Sequence, residues 1–528
     1  MTVYKFPPLW YPELPITKVL KKTAERLPNK PAILYPERIT FKELWSRIDR
    51  LATALADLGV KKGDKVAIFE RNTPNFPVAL HAALEIGAIV VPMNPLFKER
   101  EVEYEVNDSE ADTIIVRDEL YPIVKNVLPK TPRLKRIIVI GEEKPETYSF
   151  NELIEKYPPN PPEVDINPKK DYCFILYSSG TTGLPKGALY THYAHVAGFI
   201  QCVWAGWQKS ENDIILVYLP YFHIYGMICM LNSSLYAGAS QVVMERFNLE
   251  EMCRLIEKYR VTLVPFVPPV ITALVKSPEL LTKYDWSSVR MVGISAAPTP
   301  LPILEKFKEI TGITIMHFSG LTEGSPFSAN PLYKIKLRSA GIPMPDTEIK
   351  ILDLETDEEL PPGKRGEMIF KGPQIMEGYW KKPETTKETI IIRNGEKWVR
   401  TGDIGYMDEE GYVYFVDRKK EVIKYKGYSV APAEVEAVVI EHPAVKECAV
   451  VGKPDEEAGE IPKAFIVLKE GAKATEEDII NFVKERIAPY KRIREVEFVN
   501  YIPKTASGKI LRRYFRDLER KRAEEKTS

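Results

Sequence analysis

Residues Cys173-Phe174-Ile175-Leu176-Tyr177 are followed directly by Ser178-Ser179-Gly180-Thr181-Thr182-Gly183-Leu184-Pro185-Lys186-Gly187. The apolar run reads as a buried strand. The six glycine and hydroxyl residues after it read as a tight turn, because glycine backbones adopt positive φ and come close to a ligand. Hydroxyls and free N–H groups would line that concavity, and Lys186 adds one positive charge. Such a surface suits a polyphosphate. The common P-loop is excluded, since it needs Gly-Lys and then Ser or Thr, whereas Lys186 stands between Pro185 and Gly187. A flexible surface loop is the alternative.

Outward from this strand the chain alternates helical and strand-like patterns. Leu51 to Ala56 is helical and Lys65 to Phe69 is a strand, then Asn75 to Ile86 is helical and Ala88 to Pro92 a strand. This is the rhythm of a parallel α/β sheet. Residues 155–170 are proline-rich and charged, as a connection would be. Residues 338–415 carry short β-like runs broken by Pro361-Pro362-Gly363, which suggests a small antiparallel barrel. From Asp417 on, a helix at Ala433 to Val439 and strands at Val445 to Val451 and Lys463 to Leu468 suggest a separate α+β unit. The charged run Asp417 to Glu421 reads equally as a solvated linker, and the charged end from Arg516 to Ser528 as a segment that frays.

At 528 residues the chain exceeds one compact core and should divide. Its 74 basic and 74 acidic residues balance, so no global field favours nucleic acid or an anionic membrane. No early stretch has the order of a secretory signal. The uncharged runs Gly187 to Gln208, Ile214 to Met244 and Val261 to Val275 are interrupted by polar residues or prolines, so they read as core and not as bilayer spans. Five scattered cysteines, never spaced as a metal knuckle, point to reduced thiols in a cytoplasm and no structural zinc.

Several further motifs follow in order: Pro220-Tyr221-Phe222-His223-Ile224-Tyr225-Gly226, His317-Phe318-Ser319-Gly320-Leu321-Thr322-Glu323, Thr401-Gly402-Asp403, Asp417-Arg418-Lys419-Lys420, Ile423 to Val430 and Pro503 to Ile510. Together with the glycine–hydroxyl loop they resemble the adenylate-forming superfamily of acyl- and aryl-CoA synthetases, luciferases and peptide-synthetase adenylation domains. The resemblance implies a large domain, residues 1–419, of two α/β lobes plus a small β-barrel. A small mobile α+β domain, residues 420–528, would follow, with Lys420 as the hinge. It implies ATP, Mg²⁺ and CoA as cofactor and co-substrates, a small carboxylic acid as substrate and a cytoplasmic enzyme without a transmembrane segment. Homodimerisation is left open.

The resemblance also implies residue roles. Ser178, Ser179, Gly180, Thr181, Thr182, Gly183 and Lys186 would hold the outer phosphates, and Thr322 the α-phosphate. Glu323 would bind the metal; a hard cation prefers oxygen ligands, though a lone glutamate otherwise reads as a charge at a helix N-terminus. Asp403 would take both ribose hydroxyls, and Arg418 would reach ribose and α-phosphate with a fork that lysine cannot replace. Lys509 would neutralise charge as the carboxylate attacks. Lys426, Gly427 and Tyr428 would border the CoA arm. His223 would sit near the carboxylate or be an ordinary buried histidine; Tyr225 and Gly226 would border the acyl chain. Phe199, Trp204 and Trp207 would wall the same pocket or pack in the core. Relatives carry an aromatic residue where Ser319 stands, and it stacks on adenine. Either Phe318 takes that task, or Ser295, Ala296, Ala297 and Pro298 hold the base. The reading is an AMP-forming acid–CoA ligase for a fatty or other apolar acid. Alternatives are an aryl- or hydroxy-acid ligase, an enzyme loading a carrier protein, a luciferase-like oxidase and a non-enzymatic nucleotide binder.

Overall fold

The computed structural model describes residues 3–178, 185–295, 299–419, 421–425, 428–455, 458–487, 489–504 and 510–527. Two large sheets dominate. The eight-stranded sheet has parallel strands Lys65–Phe69, Ile89–Pro92, Thr113–Arg117 and Arg136–Ile140 at its centre. Their burial sorts by parity: Val66, Ile68, Val90, Ile115 and Ile138 face one core, while Ala67, Phe69, Val91, Ile114 and Val139 face another. That two-residue period is why uninterrupted apolar runs form strands covered on both sides.

The nine-stranded sheet contains Ile214–Val217, Ser240–Val243, Leu263–Phe266, Met291–Ile294 and Thr314–Leu321, all in parallel pairings. The early strand Pro31–Tyr35 pairs antiparallel with the short Ile39–Thr40 on one side, but it does not join the sheet of the strands that follow in sequence. It pairs with Ser240–Val243, so the chain starts in one lobe, builds the other and returns. Helices Ile16–Arg26, Phe41–Asp57, Asn75–Glu85 and His192–Gln201 lie between the lobes and fill one continuous apolar core. Local signals start them: Thr40 caps Phe41–Asp57 in a reciprocal box with Glu43, and the Thr191 hydroxyl caps His192–Gln201.

The region expected to form a small barrel contains a five-stranded antiparallel sheet centred on Glu396–Met407. A fourth sheet, from Ile423–Tyr425 through Glu495–Phe498, has a core on each face: Val435, Val450, Ile466 and Ile479 on one side, Ala449, Val451, Phe465 and Phe515 on the other. The chain end does not fray as expected. Helix Arg512–Thr527 packs on this sheet, with the Phe515 ring stacked 4.1 Å from Phe465 and the buried Glu519 carboxylate 3.0 Å from the Lys463 ammonium. No helix among the described residues is long and apolar enough to cross a membrane.

Candidate active site

Strands Tyr172–Ser178 and Lys186–Thr191 form an antiparallel hairpin with Ser178 opposite Lys186. The glycine–hydroxyl loop is therefore the tip of a hairpin, and strand ends, not a helix dipole, bring the chain to it. Ser179, Gly180, Thr181, Thr182 and Gly183 lie outside the described residues. The flanks of the tip are tied down. Tyr177 donates to Asp108 at 2.7 Å, Tyr104 donates to the Pro185 carbonyl at 2.8 Å, and the Trp380 indole donates to the Asp108 carbonyl at 2.9 Å. Lys186 places its ammonium 5.5 Å from the centre of the Tyr379 ring.

Thr322 and Glu323 form the turn of a second hairpin, between Thr314–Leu321 and Gly324–Ala329. Glu323 is thus not at a helix N-terminus, which removes the simpler reading of its charge. Two tyrosines fix this turn. Tyr190, fully buried, donates to the Thr322 carbonyl at 2.8 Å, and Tyr379 donates to the Glu323 carboxylate at 2.6 Å. Burial and the nearby Glu323 push both phenols up, so they stay protonated donors. No group of three or more His, Cys, Asp or Glu able to hold a metal exists among the described residues. Mg²⁺ needs none: it keeps waters and takes one or two carboxylates plus substrate phosphates. A single partly buried glutamate fits that demand.

Thr401-Gly402-Asp403 lies where the long strand changes partner. Ile369 pairs with Arg400 but Glu367 with Ile404, and the extra residues form a bulge with Gly402 at φ +66°. A bulge of this kind re-aims the next side chain, and only glycine takes that φ without strain. The buried Asp403 then meets its cross-strand partner Arg418, Nε to carboxylate at 2.7 Å. The two residues expected around the ribose are therefore neighbours. Asp417 is no linker residue. It is fully buried, accepts from the Ala433 N–H at 2.7 Å at the start of helix Pro432–Val439, and burial pushes its carboxyl up to about 6.

Several expectations change. Phe318 faces the core. Strand alternation turns it inward, where its ring lies 5.0 Å from Trp207 at an interplanar angle of 23°, against Gly206 and Gly293. Ser319 occupies the other face. His317 is half-buried, and desolvation pushes its imidazolium down to about 4, so it is neutral. Ala296, Ala297 and Pro298 lie outside the described residues. His223 is exposed, not buried, and its Nδ1 accepts from the Tyr225 N–H at 3.2 Å. Tyr225 is buried with its hydroxyl 3.5 Å from the Gly293 carbonyl, which sets it beside the Trp207–Phe318 pair. Gly226 has a packing reason: a Cβ there would lie 2.0 Å from the Pro220 carbonyl oxygen. Phe199 and Trp207 are fully buried, but Trp204 is 60% exposed and walls nothing.

The uncharged stretches also differ from simple α-helix. Cys202–Gly206 and Tyr225–Asn232 are π-helical, a geometry frequent near functional sites. Between them sits Lys209, fully buried, donating to the Cys229 carbonyl and the Ser233 and Ser234 hydroxyls, with burial lowering its ammonium to about 8.

Lys420, Lys426, Gly427 and Lys509 lie outside the described residues. Tyr428 belongs to the second strand of the hairpin Ile423–Tyr425 with Tyr428–Val430, and Lys504 bridges Ile510 across the segment that holds Lys509. Sequence reading missed Tyr190 and Tyr379. Tyr190 had a signal, four residues beyond Lys186 on the same strand face. Tyr379 had none, because it arrives from 56 residues beyond Glu323.

The sequence matches the AMP-binding enzyme family over residues 20–380 and the AMP-binding enzyme C-terminal domain over residues 434–509. It is 36% identical to the long-chain-fatty-acid–CoA ligase of Bacillus subtilis, covering 95% of this chain and 94% of that one. It is 37% identical to 4-coumarate–CoA ligase 1 of Petroselinum crispum, covering 97% and 95%. Among solved structures, an anthranilate–CoA ligase in complex with anthranoyl-AMP superposes with a TM-score of 0.89 at 30% identity over 97% of this chain and 98% of that one. The long-chain-fatty-acid–CoA ligase of Archaeoglobus fulgidus does so at 0.75 and 34%, over 94% and 99%. The chain belongs to the adenylate-forming superfamily, as an AMP-forming acid–CoA ligase.

Proposed function

We propose that the enzyme activates an apolar carboxylic acid, aliphatic or aryl, with ATP and passes the acyl group to CoA. In the first step a carboxylate oxygen bonds to the α-phosphorus, the α–β bridging bond breaks and pyrophosphate leaves. In the second the CoA thiolate bonds to the acyl carbon and AMP leaves. The observation that carries this reading is the turn Thr322–Glu323, hydrogen-bonded through Tyr190 and Tyr379 to the elements that frame the glycine–hydroxyl loop.

Ser178, the loop residues and Lys186 hold the outer phosphates while Thr322 meets the α-phosphate. Glu323 would hold Mg²⁺, which when bound would supply charge neutralisation at the phosphates. Asp403 accepts from both ribose hydroxyls, with Arg418 holding its other side. Lys509 balances the charge that moves from carboxylate to phosphate, which is placement and electrostatics more than covalent work. Tyr225 and the Trp207–Phe318 pair form the apolar end of the acid site, with His223 toward its carboxylate. Their aromatic bulk supports an apolar acid. Residues 1–419 and 420–528 are the two units, joined at Lys420, and the second brings in Lys509 for one half-reaction and Lys426, Gly427 and Tyr428 for the other. A closed site keeps water from the mixed anhydride.

The test is pyrophosphate release and thioester formation across short, medium, long and aryl acids, for the wild type and Lys509→Ala. The variant should lose acyl-adenylate formation yet largely keep thioester formation from supplied adenylate. Equal loss of both halves removes Lys509 from its role; no CoA-dependent AMP release with any acid removes the reading.

A further inference from the structure

Tyr379 touches two groups at once, the Lys186 ammonium through its ring and the Glu323 carboxylate through its hydroxyl. Its position follows from the sheet. Strand Gly378–Tyr379 pairs antiparallel with Lys186–Thr191, Tyr379 opposite Ala188 and Gly378 opposite Leu189. Lys186, Ala188 and Tyr190 share one face of that strand, and the small Ala188 leaves the ring of Tyr379 room beside the lysine stem. Backbone bonds hold the pairing on either side, Glu377 N–H to the Leu189 carbonyl and Trp380 N–H to the Gly187 carbonyl, both at 2.8 Å. Tyr379 N–H donates to the Thr386 hydroxyl at 2.8 Å, which anchors the same residue from behind.

We propose that Tyr379 is a positioning residue: its hydroxyl orients Glu323 as metal ligand while its ring holds Lys186 on the same side, so that Lys186 and the turn present one preset phosphate site. This rests on the reading of Glu323 as the Mg²⁺ ligand. One hydrogen bond at 2.6 Å sets the plane of the carboxylate, the role that partners behind a ligand play at metal sites. A cation over an aromatic face is held but not neutralised by a counter-ion, so Lys186 keeps its charge for an incoming phosphate.

The experiment is calorimetric binding of α,β-methylene-ATP, which cannot be cleaved at the reacting bond, with Mg²⁺ and separately in chelator. Tyr379→Phe should lose roughly tenfold or more of the tightening that Mg²⁺ provides, with chelator affinity within about twofold of wild type. Tyr379→Leu, which also removes the ring, should weaken binding in both conditions. Glu323→Gln serves as reference. If it loses the Mg²⁺ effect while Tyr379→Phe keeps it, the positioning role is wrong and the ligand assignment stands. If neither variant changes the Mg²⁺ effect, the ligand assignment itself is wrong. Tyr190→Phe removes a hydroxyl that, among the described residues, meets the Thr322 carbonyl and not the Glu323 carboxylate. Should it copy the Mg²⁺ response of Tyr379→Phe, the effect is general loosening of the turn and the proposal is overturned.

Discussion

The two α/β lobes and the C-terminal unit are joined in opposite ways. Between the lobes runs one apolar core that takes residues from both large sheets. Across residue 420 no apolar cluster of described residues continues: the cores end at Val413, with Phe415 packed against one of them, and resume at Ile423. What crosses instead is polar. Arg365 meets Glu434 at 2.7 Å, Asp417 caps helix Pro432–Val439, and Arg512 reaches Asp417 at 3.5 Å. Apolar burial is non-directional and unaffected by dilute salt, so it fuses bodies. Ion pairs pay desolvation on association and recover most of it on separation. A joint made of them separates at less cost than an apolar core would, which is what the proposed two-step reaction asks of this unit.

The largest effect should come from the lobe junction. Phe76, fully buried on helix Asn75–Glu85, packs 5.5 Å from Tyr221, whose hydroxyl donates to Gln241 in the other sheet. Phe76→Ala should cost about 3–5 kcal/mol. All seven tryptophans precede residue 399, so denaturation followed by tryptophan fluorescence reads the lobes and the antiparallel sheet, and not the C-terminal unit. One transition, shifted as a whole, is expected. Two separated transitions would show that the lobes are not one cooperative body.

A middle effect tests whether that core refuses charge. His195, fully buried on helix His192–Gln201, lies 2.8 Å from the Asn232 amide nitrogen, and burial pushes its imidazolium down to about 3. Asn232 Nδ2 donates, so His195 Nε2 accepts and the ring is neutral. Below the unfolded value near 6.5 the unfolded chain takes up a proton that the folded one does not, so this stability is complete above 6.5 and is lost as pH falls. Moving from pH 7 to pH 5 should therefore cost the wild type about 2 kcal/mol more than His195→Gln, which keeps an acceptor and has no proton to gain. Equal costs in paired denaturation curves would place the histidine in contact with water.

What the sequence disclosed follows the same division. Strands and helices with a strong period were legible, because local patterning alone selects them. Thr401-Gly402-Asp403 was legible as a motif, yet its reason, a bulge where one strand changes partner, needed the register of Gly366–Lys371. The direction of Phe318 was not legible because strand parity is decided by neighbours: Gly206 and Gly293 open a slot that only the fold brings opposite it. The destination of Pro31–Tyr35 and the arrival of Tyr379 at Glu323 are long-range pairings with no local trace. The helix Arg512–Thr527 did leave one, Phe515 and Leu518 three apart among charges, masked by the composition around them.

The smallest effect should come from the joint at residue 420. Arg365 and Glu434 are exposed at 51% and 27%, and Lys491 holds the same carboxylate at 2.6 Å. Removing Arg365 leaves Glu434 paired, so Arg365→Ala should cost about 0.2–1 kcal/mol, the range for surface pairs. That loss acts only on the arrangement in which the two residues meet, so the separated arrangement rises about 1.4- to fivefold in population. Arg418, Lys419 and Lys420 form a run that trypsin cuts, and cleavage of a transiently opened segment tracks its open population. The variant should be nicked there up to about fivefold faster than wild type, with the lobes' fluorescence transition unmoved. Raising salt toward 1 M shortens the screening length to about 3 Å, so the wild type should approach the variant while the variant, lacking the exposed pair, changes less. A rate more than a hundredfold higher would mean that one exposed arginine holds the joint, and equal salt responses would mean that the pair contributes nothing to it.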